Sequence, residues 1–336
     1  MIYIRPIVMT DAARPAGAVP LAGGWCWFDR VEILERGRSP KIGDLADLTP
    51  DQRRALSGPR ANFGGLAMTQ PRIMGILNVT PDSFSDGGQF LAKDAALGQA
   101  LALADAADIL DIGGESTRPG AVDLANAEEI ARTVPVIVAL RDAGVGTAIS
   151  IDTRKADVAA AALSAGANIV NDVAGLRYDP AMAALVANSG APIVLMHAQG
   201  APSDMQNDPR YMNVALDVYD FLAERIGFAL SCGIARDRIA IDPGIGFGKT
   251  AAHNLALIRQ LSLFHGLGCP ILLGASRKRF IGTISGANDP QARMPGSLAV
   301  ALSGVAQGAQ IVRVHDVVET RQALALWRAV NLGDVA

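Results

Sequence analysis

A chain of 336 residues suits one large domain or two smaller ones and is long enough to bury a substantial core. Half of its residues are apolar, yet no run is long enough to span a bilayer, and a net charge of −3 leaves nothing global to draw it to nucleic acid. Three widely spaced cysteines, Cys26, Cys232 and Cys269, argue against a disulfide framework or a zinc cluster and fit small buried hydrophobes in a reducing compartment.

Residues 1–70 read as an N-terminal extension, irregular with short strands, ahead of a main domain at 71–336. Pro6, Pro15, Pro20, Pro40, Pro50 and Pro59 punctuate it, and only short stretches such as 27–33 look strand-like. Trp25, Cys26, Trp27 and Phe28 are too apolar for a loose tail, so the extension is expected to pack on the main domain. Residues 51–56 suit a turn or two of helix. The start lacks the basic residues, apolar core and cleavage site of a secretory signal, so a cytoplasmic chain is expected.

From Ile73 a regular alternation sets in. Short apolar, β-branched runs fall at 73–77, 109–112, 148–151, 168–170, 192–196, 238–241, 270–273 and 310–314. Ala- and Leu-rich stretches with helical spacing lie between and after them, at 94–107, 125–143, 155–165, 181–188, 214–232, 254–264, 297–308 and 317–330. Eight strand–helix pairs over about 260 residues predict an α/β fold of the (β/α)8 barrel type. A doubly wound open sheet is the runner-up, because alternation alone does not prove closure.

Each run ends in a group that can hydrogen-bond or carry charge: Asn78; Asp111 with Glu115; Asp152; Asn171 with Asp172; His197; Asp242; Ser276 with Arg277 and Lys278; Arg313 with His315. Parallel strands all finish on one face, so these ends converge on one polar mouth. Some of them will be ordinary helix caps or strand-end hydrogen bonds. The stretch 244–250 has the look of a phosphate loop, but the spacing needs glycine where Pro243 stands. No Gly-x-Gly-x-x-Gly follows a strand, and His197, His253, His265 and His315 show no metal-ligand spacing. His253 and His265, in or beside a helical stretch, read as structural.

Asp152, Asn171 and Asp242 offer buried acceptors and an amide, which suits a flat heterocycle carrying an amino group beside a ring N–H. Lys278, Arg118, Arg313 and His315 bring the opposite sign, suited to phosphate oxygens. Asn78 and its neighbours are hard oxygen donors of the kind that hold magnesium shared with substrate phosphates. The residues alone reach a heterocycle end and a pyrophosphate end.

The motifs at 73–88, 111–121 (Asp-Ile-Gly-Gly-Glu-Ser-Thr-Arg-Pro-Gly-Ala), 149–153, 171–173, 242–249, 274–278 and 313–317 come in an order that resembles the dihydropteroate synthase family of pterin-binding barrels. The resemblance covers essentially all of residues 73–330. It implies condensation of (7,8-dihydropterin-6-yl)methyl diphosphate with 4-aminobenzoate, releasing pyrophosphate, by a displacement in which the C–O bond ionises first. Carried over by motif, Asp152, Asn171, Asp242 and Lys278 correspond to pterin contacts, with Met196 among the substrate-binding residues. Asn78 corresponds to the Mg2+ ligand and Thr117, Arg313 and His315 to diphosphate contacts. Arg118, Pro119, Phe247 and Ser276 surround the aminobenzoate, and Asp86 helps complete the site; Asp86, Lys278 and Arg118 are the expected catalytic residues.

The resemblance further implies small-molecule substrates only, no nucleic acid or membrane partner, competition by sulfonamides, and a homodimer through 297–308 and 317–330. Ala198 and Ala201 depart from the family's more usual Met and Thr beside the pterin pocket, without removing a charged contact. Two alternatives stay open: a pterin-binding methyltransferase serving a corrinoid partner, and an inactive pterin-binding module.

Overall fold

A computed structural model describes residues 1–79, 89–116, 123–200 and 205–333, with the backbone alone for residues 89–96. The first sixty residues are more regular than their prolines suggest. β1 (Ile2–Pro6), β4 (Arg30–Glu35) and β5 (Lys41–Asp44) form an antiparallel sheet in the order β1-β4-β5, and β2 (Val19–Pro20) pairs with β3 (Trp27–Phe28). Pro6 closes β1 on the sheet edge, where a missing N–H is tolerated. α1 (Pro50–Ser57) follows, with proline at its first position and a reciprocal cap between Thr49 and Gln52.

This layer lies against the main domain. Tyr3 donates its hydroxyl to Asp220 at 2.9 Å and meets the Tyr219 ring edge-on at 5.4 Å. Trp25 donates to the Val305 carbonyl at 2.9 Å, and Ser262 to that of Pro6 at 3.0 Å. Cys26 and Phe28 are buried, as their composition requires.

The main domain is a ring of parallel strands: β6 (Arg72–Asn78), β7 (Ile109–Gly113), β8 (Ala148–Asp152), β9 (Ile169–Asp172), β10 (Ile193–Met196), β11 (Ile239–Asp242), β12 (Leu272–Leu273) and β13 (Ile311–Val314). Their order is β11-β10-β9-β8-β7-β6-β13-β12, so the first barrel strand pairs with the last. A parallel bridge between Ile241 and Ile271, with the Ile241 N–H donating to the Pro270 carbonyl at 2.9 Å, joins the two ends. That bridge decides for the barrel over the open sheet.

Helices α2 (Gln89–Ala104), α3 (Asn126–Asp142), α4 (Ala156–Ser164), α5 (Met182–Ser189), α6 (Val214–Ser231), α7 (Ala251–Arg259), α8 (Arg279–Ser285), α9 (Met294–Val305) and α10 (Val317–Leu332) follow the barrel strands. Two details differ from the sequence expectation. The stretch 254–264 is split, α7 giving way to a 3-10 helix at Leu261–Leu267, and a short helix, α8, precedes α9. His253 caps α7 together with Thr250, and His265 is fully buried with Nε2 3.0 Å from the Gln307 carbonyl, so both are structural.

Strand alternation sorts the ring into an outer apolar face against the helices and an inner face. The lowest inner layer takes one residue from each strand: Met74, Ile109, Ala148, Ile169, Val194, Ala240, Leu272 and Ile311. Phe63 and Met68, both fully buried, close it from below. A two-residue turn makes this plug possible. Phe63 and Leu66 exchange both backbone hydrogen bonds across Gly64 and Gly65, at φ +58° and +82°. A Cβ on Gly64 would stand 2.5 Å from Ile169 Cδ1, so glycine is required by space as well as by backbone. The plug belongs to the stretch assigned by sequence to the extension, although it completes the barrel core.

Candidate active site

Two residues further along, the inner face turns polar on five of the eight strands. Asp111, Ser150, Asn171, Met196, Asp242 and Arg313 share the inward parity of the floor residues, and Asn78 and Asp152 stand one step higher. Their strand ends open on the C-terminal face of the barrel, where such folds carry chemistry. One pocket there gathers Asp152, Asn171, Met196, Asp242, Phe247, Lys278 and Arg313, with Val173 and Gly274 completing its wall.

Arg313, grouped by sequence with the diphosphate contacts, reaches down into this pocket. Its Nε donates to Asp111 Oδ2 at 2.5 Å and its Nη2 to Asp152 Oδ2 at 2.6 Å. Asn171 donates its amide to the same Asp111 oxygen at 3.1 Å. Asp111 is fully buried, and sequence marked its strand end without placing it in the site; the signal was its parity with Ile109.

The loop after β11 shapes the opposite wall. Asp242 accepts from the Gly244 N–H at 2.7 Å, and Asn254 from that of Gly246 at 2.7 Å. Gly244 sits at φ +68°, and a Cβ there would lie 1.8 Å from the His197 carbonyl, so only glycine fits. Lys249 turns inward, its Nζ 2.8 Å from His197 Nδ1 and donating to the Phe247 carbonyl at 2.9 Å. Its buried amine is thus held between His197 and the loop's own backbone. Lys278 donates to the Ile245 carbonyl and lies 4.4 Å from the centre of the Phe247 ring.

At the mouth, Ser276 Oγ stands 3.0 Å from His315 Nδ1 and accepts from the His315 N–H at 3.2 Å. Arg277, between Ser276 and Lys278, holds the left-handed region at φ +57° and pairs with Asp316. It anchors the residue that follows His315. Asn78 ends β6 with its amide oxygen above Gly113, beside Asp152.

Beside this mouth lies a buried ion cluster. Lys155 meets Glu115 at 3.0 Å and Glu129 at 2.8 Å, and Arg154 meets Glu115 and Asp123. Glu115 also accepts from the Leu124 N–H at 3.0 Å, so residues 115 and 124 are tied together. Thr117, Arg118 and Pro119, which fall between them, lie outside the described residues, as do Asp86 and Ala201.

The electrostatics are those of a desolvated, mixed-charge site. Burial lifts the Asp152 carboxyl to about 7, opposed by Arg313 and reinforced by Asp111. Burial also raises Asp242, against the pull of Lys278. It draws the Lys278 ammonium down to about 8, with Asp242 resisting. Burial disfavours the Arg313 charge, but Asp111 and Asp152 more than reverse this and raise it above the ordinary arginine range. Lys249 and His197 are both shifted well down by burial. Carboxylate and amide acceptors, with a lysine and an aromatic edge beside them, can grip a planar ring that donates hydrogen bonds.

Comparison with known proteins agrees with this geometry. The pterin binding enzyme family matches residues 74–315. Dihydropteroate synthase of Synechocystis sp. is 47% identical over 261 residues, covering 76% of this chain and 90% of its own. The Xanthomonas albilineans dihydropteroate synthase solved with 4-aminobenzoic acid superposes with a TM-score of 0.76 at 46% identity, over 83% of this chain and 99% of that one. The same organism's enzyme in complex with 7,8-dihydropteroate gives 0.74 at 43% identity, over 83% and 100%. The chain belongs to the pterin-binding enzyme family, with the dihydropteroate synthases.

Proposed function

We infer that the chain joins (7,8-dihydropterin-6-yl)methyl diphosphate to 4-aminobenzoate, forming 7,8-dihydropteroate and pyrophosphate. One observation carries the reading: Asp152, Asn171, Asp242 and Lys278 line a single pocket at the C-terminal face of the barrel. Asp242 and Asp152 accept from the donors of the dihydropterin, and Lys278 supplies the complementary cation. Phe247 and Met196 give the ring its apolar walls. The relatives named above are synthases, which sets the methyl-transfer alternative aside.

Carboxylates lining the pocket favour a path in which the C–O bond breaks before the amine attacks. The dihydropterin ring delocalises the positive charge that develops, and Asp152 and Asp242 offset it. Ser276 Oγ lies 3.0 Å from His315 Nδ1, which supports aminobenzoate and diphosphate subsites that adjoin each other. The donor chemistry suits Mg2+, since Asn78 offers a hard amide oxygen at the mouth. Asn78 would help hold such an ion beside the substrate phosphates, where its charge would offset that of the leaving group.

The reading extends to a homodimer and to sulfonamide competition for the aminobenzoate subsite. α10 leaves Val318, Leu326 and Val330 exposed at 64%, 67% and 75%, spacings that place Leu326 and Val330 on one helical face for a second copy to cover. No helix among the described residues is long and apolar enough to cross a membrane. The decisive assay incubates the protein with magnesium, the dihydropterin diphosphate and 4-aminobenzoate. Dihydropteroate is the expected product, and none under these conditions would overturn the reading. Light scattering should return twice the chain mass; a single chain mass removes the dimer.

A further inference from the structure

We propose that Asp111 is the positioning residue of the heterocycle pocket, fixing which way Asn171 presents its amide and where Arg313 lies. The inference rests on the dihydropterin reading of the pocket. It starts from one oxygen atom. Asp111 Oδ2 takes Asn171 Nδ2 at 3.1 Å and Arg313 Nε at 2.5 Å, on a side chain with no solvent exposure. A carboxylate only accepts, so the group of Asn171 that faces it must be the NH2. The Asn171 carbonyl oxygen is therefore turned away from Asp111, on a side chain that lines the pocket. An amide free to flip would offer a donor or an acceptor; this one is held as an acceptor for a ring or amino N–H.

The same oxygen fixes Arg313. With Nε on Asp111 and Nη2 on Asp152 Oδ2, the guanidinium bridges the two carboxylates. Asp152 Oδ1 is buried and has no hydrogen-bond partner among the described residues, which leaves it as a second acceptor for the ligand. Without Asp111, the buried guanidinium would retain one carboxylate of the two, and Asp152 would be drawn fully into pairing with it. Asp111 thus acts through Asn171 and Arg313, itself one strand position below the ligand.

The test is Asp111→Asn, which keeps the shape and removes the charge. Calorimetry with the dihydropterin diphosphate should show affinity at least tenfold weaker, while KM for 4-aminobenzoate moves less than threefold. Asp111 is one of the charges that raise Asp152, so the acid limb of the kcat/KM profile for the pterin substrate should move to lower pH. A purely structural role would raise KM for both substrates together. A second variant exchanges the pair, Asp111→Asn with Asn171→Asp, which restores an amide donor below and an acceptor above; it should recover at least half of the lost binding energy. Affinity of Asp111→Asn within twofold of wild type overturns the proposal, as does an exchange variant that folds yet recovers nothing, or a failure of both variants to fold. Wild-type protein is titrated alongside: if it fails to bind the pterin, the site reading falls, whereas a binding wild type with an unaffected variant removes the Asp111 role alone.

Discussion

Two layers of the same barrel interior, one strand pitch apart, do opposite work. The lower takes Met74, Ile109, Ile169, Val194, Leu272 and Ile311 around the Phe63 and Met68 plug and contains no polar side chain. The upper takes Asp111, Asn171, Asp242 and Arg313 from the same strands and is held by charge-assisted hydrogen bonds. Apolar packing is non-directional and stabilises whatever ring the strands make. A buried polar layer adds little net stability, yet its geometry is demanding because each unmatched group is costly. The floor makes the fold, and the layer above it selects the ligand.

Substitutions should separate the two roles. The largest effect is expected from Phe63→Ala, which empties the plug and should cost about 3–5 kcal/mol of stability. Chemical denaturation checks it, and the fraction that remains folded should keep its KM for both substrates. Asp242→Asn should do the reverse. A charge-assisted pair is worth about 1.5–3 kcal/mol, so pterin affinity should fall at least tenfold, while the thermal midpoint holds or rises because a buried charge is gone. Unchanged affinity by calorimetry would remove Asp242 from the ligand contacts.

Smaller effects sharpen the contrast. Gly64→Ala forces a left-handed residue and a contact with Ile169, at a cost of about 1–2 kcal/mol in stability and none in binding. The polar layer should also set the pH response. Protonating Asp152, held at about 7, removes an acceptor as pH falls, and deprotonating Lys278, at about 8, removes the cation as pH rises. The kcat/KM profile should be a narrow bell between these limits, falling about tenfold per unit on each side. Lys278→Arg should carry the alkaline limb upward, since arginine stays charged. A flat profile from pH 6 to 9, taken about one unit beyond each limit, would show that neither group titrates during binding.

Much of this was legible in the sequence. The period of the apolar runs carried the barrel, and the motif order placed Asp152, Asn171, Asp242 and Lys278 in one pocket. Other features had no local signal. Phe63 and Met68 look like ordinary residues of a proline-rich stretch, because their burial is created by eight strands that come later. The open-sheet alternative could be dismissed only by the Ile241–Ile271 bridge, a tertiary fact. Arg313 carries the same charge whether it turns up to a phosphate or down to Asp111, and sequence does not record the direction. Asp111 could have been found: it follows Ile109 by two along β7, and a charged residue at inward parity in a buried strand needs partners inside the barrel.

The pairing of β6 with β13 sets the order in which the molecule can be assembled. Residues 63–68 leave the ribosome early, but the floor they close includes Leu272 and Ile311, more than two hundred positions downstream. The plug cannot be closed in until β12 and β13 have been made, whereas neighbours β6 to β11 are also consecutive in sequence. Closure of the floor therefore depends on β12 and β13. Nascent chains halted before residue 311 should remain protease-sensitive at 61–70, and release of the last strand should protect that segment and the active-site mouth together.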